Sequence, residues 1–139
     1  MSDTAGSGGY WISMAGHRVI AQPQTLTGSI GVIGGKFSLA GLFEKLGITA
    51  ERIAYGQRAD LFTPFRPLSP EERRLIKEQI LWTYDKFVAK AAEGRNLTRE
   101  EVERVGRGRV WTGRQAKEIR LVDDLGGLDK ALAAAKSLA

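Results

Sequence analysis

The 139-residue chain has no cysteine, a single histidine and four prolines. Without cysteine it can build no disulfide framework, no thiolate metal site and no thiol nucleophile, and cysteine usage says nothing of its redox compartment. One histidine leaves only scattered carboxylates as metal donors, so neither a metal nor a cofactor is expected. No uninterrupted apolar run approaches the roughly 18 residues that a membrane span needs, and the first residues lack the basic-then-apolar layout of a signal peptide. A soluble chain is expected. Aromatic residues make up 8%, which bears on how the net charge of +5 is read. Basic residues are frequent between Lys90 and Arg120, yet Glu93, Glu100, Glu101, Glu103 and Glu118 interleave with them, and Trp111 is the one aromatic side chain there. That pattern belongs to a solvated helical surface, and no nucleic-acid partner is expected.

What is present is one domain's worth of chain, residues 1–139, with 42% hydrophobic residues, enough for a core. After the Gly-rich opening, YWISMAG reads as a short helix and RVIAQP as a strand ended by Pro23. TLTGSIGVIGG suits a buried strand flanked by tight turns. Ser38 is placed to cap a helix carrying Leu39, Leu42, Phe43 and Leu46, closed by Gly47, and ITAERIAYG is a further strand candidate. QRADLFTPFRPL, with two prolines, reads as a surface loop. Ser69, Pro70 and Glu72 then form the opening of a helix, a capping box with proline at the first position. Its apolar face runs through Ile76, Ile80, Tyr84, Phe87, Val88 and Ala91 to Gly94. Thr98 with Glu101 and Thr112 with Gln115 repeat the capping box, and LDKALAAAKSLA is helical by composition. The fold class is α/β. Alternating strands and helices imply a parallel sheet flanked by helices; three strand candidates are few for that, so a fragment lacking upstream strands is expected.

Chemistry concentrates at TAGSGGYW. A serine hydroxyl needs a base to take its proton and donors aimed at the developing oxyanion. Ser7, at a helix start beside Gly8 and Gly9, has free backbone N–H groups nearby and room for a substrate carbonyl. The same local pattern also describes an ordinary N-cap serine in a Gly-rich turn. His17 falls about where the first helix ends, roughly 12 to 15 Å from Ser7 by helix geometry, too far for a Ser-His pair. A catalytic Ser7 therefore calls for a lysine base, desolvated so that it is neutral near working pH. GSIGVIGGK is no phosphate loop, because Ile30 stands where glycine is required and Phe37 where serine or threonine is.

The blocks SGGYWIS, VIAQPQTLTGSIGV and GRVWTGRQAKEIRLVDDLGGLDKAL, in this order and spacing, resemble the SppA signal peptide peptidases, serine proteases of family S49 with a ClpP/crotonase-like fold. The resemblance implies that Ser7 is the nucleophile, that the Gly8 N–H is an oxyanion donor, and that Ser29 supports the lysine base. In short-form members that lysine stands in the loop matching QRADLFTP, at the position held here by Ala59; the neighbouring Arg58 cannot replace it, since a guanidinium stays protonated. Lys36 and Lys45 do not align with the base. The pattern is that of the C-terminal domain of a long-form member, whose lysine comes from a homologous upstream half. The resemblance further implies cleaved signal peptides as substrates, homo-oligomers, a periplasmic catalytic part at the bacterial inner membrane, and an anchor outside this chain. By itself the chain is then expected to be inactive. Two other readings remain: a non-catalytic assembly domain, favoured by Ala59, and a crotonase-like acyl-CoA enzyme, which needs no serine at position 7.

Overall fold

Small residues that let backbones approach closely, rather than long β-branched runs, make the strands of this chain, and the strands are short. The computed structural model describes residues 1–138. In order they form β1 (Thr4–Gly6), α1 (Gly8–Ser13), β2 (Ile20–Ala21), β3 (Leu26–Gly28), α2 (Ala40–Lys45), α3 (Pro70–Arg95), α4 (Arg99–Val105), β4 (Val110–Thr112), α5 (Gly113–Glu118), β5 (Asp124–Leu125) and α6 (Leu128–Leu138). One sheet has the order β1-β3-β4, with β1 parallel and β4 antiparallel to β3. A second pairs β2 with β5 in parallel. The fold is mixed α/β with small parallel sheets, as the sequence pattern implies. Two compact units divide the chain, one made of Met1–Val32 with the residues from Trp82 onward, the other of Ile33–Leu81.

The first unit holds the core. Tyr10 and Met14 of α1 meet Val19, Ala21, Ile30, Leu121 and Val122, the α3 residues Phe87, Val88 and Ala91, Val102 of α4 and Ala116 of α5. Each fully buried side chain of this kind contributes about 1.5–3 kcal/mol relative to exposure. The Trp11 ring lies over Phe87 with centroids 4.5 Å apart. Capping boxes open α4 and α5 where the sequence places them: Thr98 accepts from the Glu101 N–H and Thr112 from the Gln115 N–H, and both reciprocal bonds are made. Beneath this cluster lies a buried ion pair. The Arg95 guanidinium, 9% exposed, holds both oxygens of Asp123 and also donates to the Arg120 carbonyl at 3.2 Å. Asp123 additionally accepts the Val19 N–H at 2.7 Å. Burial opposes ionisation of Asp123, but the Arg95 and Val19 hydrogen bonds outweigh it and hold the carboxyl below its usual range. Tyr10 donates to the Leu121 carbonyl at 3.0 Å, and burial pushes its phenol well above its ordinary value, so it remains a donor.

The second unit contains no buried apolar side chain. Its contacts are mainly polar, beside a Phe43–Phe65 ring contact with centroids 5.1 Å apart. Arg66 forms paired bonds to Asp60 and to Glu72, and Arg52 reaches Asp60 at 2.8 Å. The capping box at the head of α3 is made: the Glu72 N–H donates to Ser69 Oγ and the Ser69 N–H to the Glu72 carboxylate. Arg66 and then the Ser69 N–H lower the Glu72 pKa to about 2. Two expectations fail in this unit. Ser38 caps nothing: the helix starts one residue later, with Leu39, which has no side-chain acceptor, at the N-cap of α2, and the Leu39 N–H donates to the Pro64 carbonyl at 2.8 Å. ITAERIAYG is irregular and exposed, with Ile53 and Tyr55 about as open as in an extended chain, and no described strand bonds to it.

The Asp123 carboxylate has a depressed pKa in the folded chain, so its contribution is complete above the unfolded value of about 3.9 and fades as pH falls through the folded one. Asp123→Ala should therefore lose about 2 kcal/mol at neutral pH, less than a wholly buried pair because Asp123 is partly exposed. Urea melts at pH 7 and pH 3 check this, and the gap between variant and parent should narrow at the lower pH.

Candidate active site

The parallel strands β1 and β3 are in register at Gly6 and Gly28, and both end there. The next residue of each strand is a serine. Ser7 and Ser29 thus leave adjacent strand ends, about 4.8 Å apart as neighbouring strands are, and both turn into the left-handed region with φ of 50° and 49°. Non-glycine residues pay about 1 kcal/mol or more for that conformation, and two such serines side by side are a local concentration of strain. Gly6 lets them meet, since a Cβ there would lie 3.3 Å from Ser29 Cβ.

Ser7 sits at the N-cap of α1 but does not behave as a cap. Its φ and ψ of 50° and −115° lie outside the extended region that capping serines adopt, and its side chain makes no capping bond. The backbone is held instead. The Ser7 N–H donates to the Gly28 carbonyl at 2.9 Å, and the Ser7 carbonyl accepts the first helical N–H, that of Trp11, at 2.9 Å. The hydroxyl is left exposed on a fixed backbone. Gly8 follows at the first helical position with open space on its α-carbon side, and its N–H precedes the first intrahelical bond. On the other arm, Ser29 donates its N–H to the Arg109 carbonyl at 2.7 Å and is half-buried.

No titratable side chain among the described residues is bonded to either serine. His17 is exposed beyond the end of α1 and lines a shallow hollow with Met1, Ser13, Arg18 and α6 residues. Lys36 donates to the Thr63 carbonyl at 3.0 Å, Lys45 ends α2, and Ala59 lies in an exposed turn, all in the unit 33–81. No group of metal-ligating side chains occurs among the described residues. Reasoning from sequence alone passed over Gly28 and Trp111, which shape the Ser29 arm. A glycine directly before a serine in a TGS turn was the available signal for the first; the second had none.

Two strands thus end together on serines of positive φ, one of them with its hydroxyl uncommitted to a cap at the head of a helix. The model of peptidase family S49 matches residues 1–139, and the chain belongs to that family. It is 45% identical over its whole length to the chloroplastic serine protease SPPA of Arabidopsis thaliana, of which it covers 21%. It is 41% identical to a putative signal peptide peptidase SppA of Enterococcus faecium, over 94% of this chain and 38% of that one. Protease 4 of Salmonella typhi is 37% identical over the whole of this chain and 22% of its own length. The chain thus spans between about a fifth and two fifths of these relatives.

Because the Ser7 hydroxyl makes no cap bond, Ser7→Ala should change stability by less than about 0.5 kcal/mol, unlike loss of a capping serine. Ser7→Gly should stabilise by about 1 kcal/mol by relieving the positive φ. Chemical denaturation of the three proteins measures both.

Proposed function

We propose that Ser7 is the nucleophile of a serine endopeptidase of the Ser-Lys type, with the lysine supplied by a homologous half outside this chain. The observation that carries the reading is the free Ser7 hydroxyl on a strained, doubly bonded backbone beside Ser29. A neutral lysine takes the Ser7 proton as Oγ attacks the scissile carbonyl. The Gly8 N–H receives the oxyanion, where a fixed donor is worth a few kcal/mol. Collapse expels the amine, which takes up the proton, and water then hydrolyses the acyl-serine by the same base. Ser29 contributes its hydroxyl oxygen to the lysine, which helps orient the amine. No imidazole is needed, which accords with the exposed position of His17.

The substrates in this reading are apolar peptides of the signal-peptide kind, and the name of the Enterococcus relative, a putative signal peptide peptidase, supports that class. Unit 33–81 by itself presents Ile33, Phe37, Ile53 and Tyr55 almost fully exposed, an apolar surface suited to such a segment or to a further copy of the protein. The setting is the periplasmic face of the inner membrane, reached through an anchor elsewhere in the polypeptide; among the described residues no helix is long and apolar enough to cross a membrane.

Hydrolysis of a fluorogenic peptide with an apolar residue before the cleaved bond tests the assignment on the natural-length protein, its Ser7→Ala variant and the 139-residue chain. The natural-length protein should be active, and Ser7→Ala should lower kcat at least about a thousandfold. The chain alone should be inactive. Full activity of Ser7→Ala would remove the nucleophile from Ser7 and favour the acyl-CoA reading; inactivity of the natural-length protein would favour the assembly domain.

A further inference from the structure

The two serines are held by parts of the chain that the reaction itself does not use, and the Ser29 arm converges on one side chain. Gly28 has φ of 76° and its carbonyl receives the Ser7 N–H, so its conformation sets where Ser7 stands. Trp111 of β4, paired with Thr27 in the register of the sheet, lays its indole against the Gly28 α-carbon: a methyl there would lie 2.8 Å from Trp111 Cδ1 and 3.2 Å from the Arg109 carbonyl. The indole cannot drift, because Nε1 donates to the Val105 carbonyl at the end of α4 at 2.9 Å and the ring packs on the core. Beyond Ser29 the same turn is held again, by the Gly108 N–H on the Ile30 carbonyl at 2.8 Å and by contact of Gly31 with Gly108.

We infer that Trp111 is a positioning residue for the Ser7–Ser29 site, acting through Gly28. This rests on Ser7 being the nucleophile. The indole is the nearest group on the Cβ side of Gly28, ahead of the Arg109 carbonyl and Leu121, and the Gly28 peptide carries the acceptor for Ser7 on one side and Ser29 on the other. Loss of this backing lets the Gly28 carbonyl swing and carries the Ser7 backbone with it. Displacement of a reacting group by about 1 Å costs up to a hundredfold in rate, while substrate contacts elsewhere are untouched. The signature of Trp111 is therefore a loss in kcat with KM preserved.

The test uses the natural-length protein with an apolar fluorogenic peptide, a fluorophosphonate probe for Ser7, and thermal melts. Trp111→Phe, which keeps an aromatic ring but withdraws the Nε1 bond, should lower kcat and the labelling rate about tenfold and leave KM within about twofold. Gly28→Ala, strained by its φ of 76° as well as by the indole, should lose about a hundredfold. Trp111→Phe with parental kcat and labelling and only a lower melting temperature would overturn the positioning role. Ser7→Ala in the same assay separates the two claims: if it keeps activity and labelling, the nucleophile assignment fails, whatever the Trp111 variants do.

Discussion

Everything at the site depends on one hydrogen bond, from the Ser7 N–H to the Gly28 carbonyl, made across the ends of two parallel strands. It is the parallel-ladder bond that closes the Gly6–Gly28 register pair, and both residues it joins have positive φ. A serine freed from capping duty, a second serine beside it and a glycine open to approach all follow from that closure. The helix α1 then begins with its polar end at the serine and its Tyr10 side in the core, so the position of the hydroxyl is tied to buried contacts rather than to a loop.

What could be read from sequence was what is decided locally. The capping boxes at Ser69, Thr98 and Thr112 form as their spacing implies, because donor and acceptor lie three residues apart on one turn. Strands were harder. ITAERIAYG has strand composition but no strand to bond to, while Thr4–Gly6 and Asp124–Leu125 have little strand character and pair because tertiary packing brings a partner alongside. Ser38 shows a shift of the same kind on a small scale, since the helix starts one residue later with Leu39 at its N-cap.

The site was half legible. The run of glycines around Ser7 marks a place where backbone must come close, and the family resemblance is what favours a nucleophile over a cap in the proposed reading. The positive φ of Ser7 and Ser29 left no mark in the sequence, because serine is not a residue whose presence announces that conformation. Trp111 and the Arg95–Asp123 pair act across long stretches of chain, and residue type alone does not say whether a tryptophan fills a core or braces a glycine.

The uneven distribution of apolar burial gives the chain two kinds of cooperativity. Residues 1–32 and those from Trp82 onward share a continuous apolar cluster, which melts as a unit because each side chain is held by the others. Residues 33–81 are held by guanidinium–carboxylate pairs around Arg66 and bury no apolar side chain. Salt screens such pairs and leaves apolar contacts intact, so the segment that carries the most exposed apolar side chains is also the one whose contacts depend most on ionic strength.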